Sequence, residues 1–185
     1  MIARFPLFAL LALMGLFATR AAAQEHVLDF GPRGKATLYL LGDWKATVIN
    51  MAGQYDIMFA PKQDSINAQA TIKVTYPDVD RYDTKQRLKL RVEADCLPYE
   101  EQSVERKARA REFTLGSGYG FYCSFTDAAL RGRKAPPGEF KVISSGRIRL
   151  AADVHLEIFI GADSFSEEAY QQLLGAIEGM EYRRR

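Results

Sequence analysis

Residues 83–97, Asp-Thr-Lys-Gln-Arg-Leu-Lys-Leu-Arg-Val-Glu-Ala-Asp-Cys-Leu, decide the fold because they read in two ways. As a strand, Leu88, Leu90, Val92, Ala94 and Cys96 alternate with Lys89, Arg91, Glu93 and Asp95. As a helix, Leu88, Val92 and Cys96 recur at every fourth position and form a thin apolar stripe. Periodicity by itself favours the strand. Composition opposes it, since the run is built from helix formers and Val92 is its only β-branched residue after Thr84. Lys89 with Glu93 and Arg91 with Asp95 set opposite charges four residues apart. Asp83 suits an N-cap with Gln86 at the third helical position, and Pro98 closes the run. A helix over about 83–97 is therefore expected, with a strand as the alternative.

Outward from this run, short strand signals dominate. Upstream lie His26–Phe30, Ala36–Leu41, Trp44–Asn50, Tyr55–Pro61 and Ile66–Tyr76, separated by Gly- and Asp-containing turns. Downstream, Ala108 and Ala110 alternate with Lys107, Arg109 and Arg111, which reads as a strand with one charged face. Tyr119–Phe125, Phe140–Ile143, Arg147–Leu150 and Val154–Ile160 follow, with Ser144-Ser145-Gly146 as a turn. Ser164-Phe165-Ser166-Glu167 reads as a capping box opening a helix over about 164–182, with Tyr170, Leu173, Leu174 and Ile177 as its stripe. Arg183-Arg184-Arg185 would suit the negative end of that helix. The expected fold class is α+β, an antiparallel meander flanked by the two helices.

The first 23 residues carry the three parts of a secretory signal. Arg4 is the positive start, Phe5–Phe17 the apolar stretch, and Ala21-Ala22-Ala23 the small-residue cleavage site. The apolar stretch is shorter than the roughly 20 residues a membrane span requires. The expectation is a signal peptide over 1–23 and a single α+β domain over 24–185, periplasmic or secreted, with no stable membrane insertion after cleavage. Of 25 basic residues, Arg4 and Arg20 leave with the signal, so 23 face 23 acidic ones. A formally neutral exported domain argues against nucleic acid as a partner. Cys96 and Cys123 are the only cysteines. In an oxidising compartment they are expected to form one disulfide, with two buried thiols, a catalytic thiol or a metal pair as alternatives.

Taken together, the early strand ending near Gly42-Asp43-Trp44, the strands through Asp56–Phe59 and Ile66–Tyr76, the helix near Asp83, the second set of strands and the terminal helix Ser164–Tyr182 resemble the PsbP-like α/β/α sandwich. That architecture also occurs in small exported bacterial proteins. The resemblance is a pattern of elements without a diagnostic motif, so no site residues come with it. It implies protein binding or an assembly role.

Motifs for chemistry are sparse. His26 lies at the expected new N-terminus, and His155 sits on a strand opposite the stripe Val154, Leu156, Ile158 and Ile160. Ser117 fails the nucleophile-elbow spacing, since Leu115 and Tyr119 stand where glycines belong. No phosphate-binding loop occurs. Asp78, Asp80 and Asp83 lack the calcium-loop pattern and suit turn and capping roles. No cofactor or metal is expected. What remains is a surface: Arg131, Arg133, Lys134, Lys141, Arg147 and Arg149 in one loop-hairpin region, with Trp44, Tyr119 and Tyr122 near turns. The expectation is a non-enzymatic binding or accessory protein acting on another envelope protein, inhibitor and immunity types included. The alternatives are a binder of a small ligand or envelope glycan, and a hydrolase whose best base is His155.

Overall fold

The computed structural model describes residues 23–51 and 54–185. The expected signal peptide lies outside these residues except for Ala23, which opens the first strand.

The elements follow in order β1 (Ala23–Asp29), β2 (Lys35–Leu41), β3 (Trp44–Met51), β4 (Gln54–Pro61), β5 (Gln69–Thr75), α1 (Lys85–Glu100), β6 (Arg111–Glu112), β7 (Tyr119–Thr126), β8 (Val142–Ala151), β9 (Val154–Ala162), α2 (Glu168–Glu178) and β10 (Glu181–Arg183). The fold is α+β. A seven-stranded sheet runs β3-β4-β5-β9-β8-β7-β6, and a three-stranded sheet runs β1-β2-β10. Both are antiparallel throughout. The large sheet is two meanders joined where β5 pairs with β9.

Alternation gives the large sheet two unlike faces. On one, Ala70, Ile72 and Val74 of β5 align with Ile160, Ile158 and Leu156 of β9. This face, the small sheet and α2 enclose the main core, with Leu28, Leu38, Leu40, Phe59 and Leu173 at its centre. The other face carries α1, which rests on β7 and β8. There Leu88, Val92 and Cys96 meet Phe121, Cys123 and Phe125 in a second cluster.

The ambiguous run is thus a helix. Its four-residue stripe is what becomes buried, and Leu90, the alternate apolar residue, is left 55 % exposed. Its start is one residue later than expected. Thr84, not Asp83, is the N-cap and accepts from the Arg87 N–H at 3.2 Å, while Asp83 pairs with Arg87. Pro98 sits inside the last turn rather than ending the helix.

The expected disulfide is corrected. Cys96 and Cys123 do face each other across the α1–sheet interface, but they are free, buried cysteines at 2.7 Å, beyond the about 2.05 Å of a bonded pair. Apolar packing rather than a covalent bond holds α1 to the sheet.

The C-terminal helix is shorter than 164–182. Ser164 turns onto Ser166, the helix begins at Glu168, and Gly179 caps it. The chain then becomes β10, because the open edge of β2 offers backbone partners at Thr37, Ala36 and Lys35. Ser144-Ser145-Gly146 is not a turn. It lies within the continuous strand β8. Of the expected strand around 107–111, only Arg111–Glu112 pairs as one.

Candidate functional site

α1 covers only part of its face of the large sheet. Beside it, over β4, β5 and β9, lies an open cleft of about 370 Å³. Its floor is set by register. Asp56 of β4 stands opposite Lys73 of β5, Lys73 opposite Glu157 of β9, and Glu157 opposite Arg147 of β8. Neighbouring strands are about 4.8 Å apart, so charges of alternating sign cross the sheet at that interval. Lys73 Nζ lies 3.5 Å from Glu157, and Arg147 bridges Glu157 at 2.7 Å and Asp95 of α1 at 2.6 Å. Arg91 closes the series on Asp95 at 2.8 Å. Burial pulls the Arg147 guanidinium down, but its two carboxylates outweigh this and hold it above the ordinary range. The next row is less polar, with Phe159 on the floor and Val92, Cys96 and Tyr99 on the helix wall.

At the end of the sheet near the α1 N-terminus, the loop after β5 folds back over His155. Arg149 grips Asp80 through Nε at 2.9 Å, and Tyr119 donates its hydroxyl to the Tyr82 carbonyl at 2.5 Å. His155 is only 6 % exposed, with Nε2 at 3.4 Å from Asp80. Its imidazole is pushed below its usual value by burial first and by Arg149 and Arg147 next, against the pull of Asp80. The Arg149 hydrogen bond holds the Asp80 carboxyl below its usual range. This cluster pins the loop over His155, whose Nε2 is buried without a hydrogen-bond partner.

A third feature lies along the outer edge of β7. The chain from Ser103 to Glu112 runs beside that strand, tied by Val104 N–H to Thr126 and by Phe113 N–H to Gly120. Ala108 and Ala110 pack inward against the second cluster, as their alternation anticipated. Arg106, Lys107, Arg109 and Arg111 are therefore turned to solvent. The nearby acids point elsewhere. Glu100 accepts from Ala108 N–H, and Glu105 accepts from the backbone and hydroxyl of Thr126 at 2.8 Å. Burial would raise Glu105, yet those hydrogen bonds overcome it and hold it below its usual value. Gln102 accepts from Ala128 N–H, which ties the start of the loop carrying Arg131, Arg133 and Lys134 to this run, while Lys134 itself lines a cleft with Asp64 and Asp163. All three cations of that loop are exposed, and none of the ion pairs among the described residues includes any of these seven cations.

The structure does not bring the sequence-selected surface together. Arg131, Arg133 and Lys134 follow the end of β7, whereas Tyr119 and Arg149 are paired at its start, roughly 23 Å away along the strand. Arg147 and Arg149 are committed to carboxylates. Trp44 is core, its Nε1 donating to Leu41 O at 2.8 Å. Tyr122 packs on Phe113. The residues that sequence reasoning missed, Asp56, Lys73, Asp95 and Glu157, carried the ordinary polar signal of strand and helix faces. Only register reveals them as one row.

Among the described residues no group of three or more His, Cys, Asp or Glu side chains is arranged to hold a metal ion. No described helix is long and apolar enough to cross a membrane. No protein-family model matches the chain, and no curated protein matches it. The chain is similar to the solved structure of the Ran-binding protein Mog1p of Saccharomyces cerevisiae, at 17 % identity and a TM-score of 0.46, over 86 % of this chain and 96 % of that one.

Proposed function

We propose that this chain is an exported, non-enzymatic binding or accessory protein of the PsbP-like type, whose partner is another protein of the cell envelope. Its contact surface is the basic edge formed by Arg106, Lys107, Arg109, Arg131, Arg133 and Lys134. The carrying observation is the segregation of charge. The domain after residue 23 is formally neutral, yet the exposed cations of the 106–111 run and the 131–134 loop enter no ion pair among the described residues, while Glu100 and Glu105 are spent on backbone hydrogen bonds. Such an edge steers and orients an acidic protein face. The signal-like first 23 residues support the envelope location.

The test is affinity capture from envelope and secreted fractions with residues 24–185 as bait, followed by reversal of Arg131, Arg133 and Lys134 to Glu. A stoichiometric protein partner should be retained by the native bait and lost with the reversed loop, and its affinity should fall as salt rises. A partner held equally by both baits would remove the basic edge from the reading. Retention of anionic glycan rather than protein would overturn the protein-partner assignment.

A further inference from the structure

Apart from the basic edge, the cleft beside α1 holds one carboxylate, Asp56, outside its ion-pair series. Five charged side chains line it: Asp56, Asp95 and Glu157 against Lys73 and Arg147. With Arg91 on Asp95, three cations pair with Asp95 and Glu157, and the pairing is uneven. Glu157 takes both Lys73 and Arg147, and Asp95 takes Arg147. Asp56 stands opposite Lys73 in register but enters no ion pair among the described residues, and its Oδ1 is buried without a hydrogen-bond partner. Asp56 is half-buried and lines the cleft, so its carboxylate is open to a cationic ligand. Beside the charges, Phe159, Val92 and Tyr99 give the cleft an apolar and aromatic side. Aromatic faces favour a cation and its hydrocarbon stem together.

We propose that this cleft binds an alkylammonium or guanidinium group on an apolar stem, with Asp56 as the countercharge and Phe159 and Tyr99 against the stem. The size of the cleft falls within the range of small-ligand sites. The cation is either a free amine or a Lys or Arg side chain of a bound peptide. The chemistry at Asp56 is the same in both cases.

The experiment is a titration of isotope-labelled residues 24–185, read by amide chemical shifts. The free probes are n-pentylamine and its neutral match n-pentanol. The peptide probes are acetyl-Ala-Leu-Lys-Leu-Ala-amide and its norleucine counterpart. The ammonium probes should shift the amides of Asp56, Lys73, Glu157 and Phe159, and the neutral ones should leave them in place. Asp56→Asn should weaken binding about tenfold, as expected for one lost charge-assisted contact. Lys73→Met removes the competing cation and should strengthen it, so the two variants move in opposite directions. The spectra themselves report that each variant is folded. A peptide preference of more than about tenfold assigns the cation to a partner's side chain, and a smaller one assigns it to a free amine. Equal shifts from the neutral probes, an unchanged affinity in Asp56→Asn, or no shifts at about 10 mM probe would overturn the proposal. Reversal of Arg131, Arg133 and Lys134 leaves these shifts unaltered, so this site and the basic edge fail independently.

Discussion

Gly146 shows how a residue changes meaning between chain and fold. With two serines before it, it reads as a turn, but it is the narrow point of β8. A Cβ there would lie 2.6 Å from Tyr122 Cβ and would also strike the Phe121 carbonyl. The glycine is present for close approach of β7 rather than for a bend. His155 likewise needed the fold to be understood. Alternation placed it opposite the core stripe, but the loop that buries it comes from Asp80 and Tyr82, more than 70 residues away in the chain. Its lowered pKa means that the folded state favours the neutral imidazole. The unfolded chain takes up the proton first as pH falls through about 6.5, so the stability His155 contributes is fully present above that pH and is lost below it. His26, also lowered by burial, acts with the same sign. Asp80, held below its usual range, stays ionised in this window. The melting temperature should therefore drop between pH 7.5 and 5.5, and the double variant His26→Gln, His155→Gln should flatten that slope. An equally steep slope in the variant would place its origin elsewhere.

Among elements, α1 was the hardest to read and is the most consequential. Its alternation suits a strand, but helix formers, two i, i+4 ion pairs and a four-residue stripe agree with one another, and their consistency prevailed. The capping residue was misjudged by one place because Asp83 and Thr84 are both good caps, and Arg87 draws Asp83 to itself. The thiols belong to this scale because they mark how α1 seats. The hydrogen bond with Cys123, together with burial, pushes the Cys96 thiol up, and both cysteines are 0 % exposed. The same contact pulls the Cys123 thiol down against burial, but burial keeps reagents from both sulfurs, so they react slowly. Titration with such a reagent should count no fast-reacting thiol in the folded protein and two per chain in denaturant. A count of zero in denaturant would mean that the pair is bonded.

Across the whole molecule, the two ends of the described chain are joined in the small sheet. β10 adds to β2, Tyr182 donates to the Arg33 carbonyl at 2.6 Å, and Arg185 meets Asp29 at 2.9 Å. Gly34, at φ +116, lets this happen, since a side chain there would collide with the Arg183 carbonyl. Removing residues 181–185 should cost about 2 kcal/mol, read as a fall of about 4–8 °C in melting temperature. An unchanged melting temperature would show that β10 only decorates an already stable sheet. The basic edge also belongs to this scale. Its two parts, Arg106–Arg111 and Arg131–Lys134, are separate in the sequence, and the Ala128–Gln102 hydrogen bond links the segments that carry them.

The α+β class, most strand positions, the buried stripe of each helix and the two patches of basic residues are legible in the chain. These are local properties, set by period, propensity and breakers over windows of about ten residues. Folding adds that Asp56, Lys73, Glu157 and Arg147 form one row, that a loop buries His155, that Cys96 faces Cys123, and that the last residues form a strand. Each of these depends on strand register or on an open edge, and antiparallel register between distant strands is fixed by the packing of the whole core.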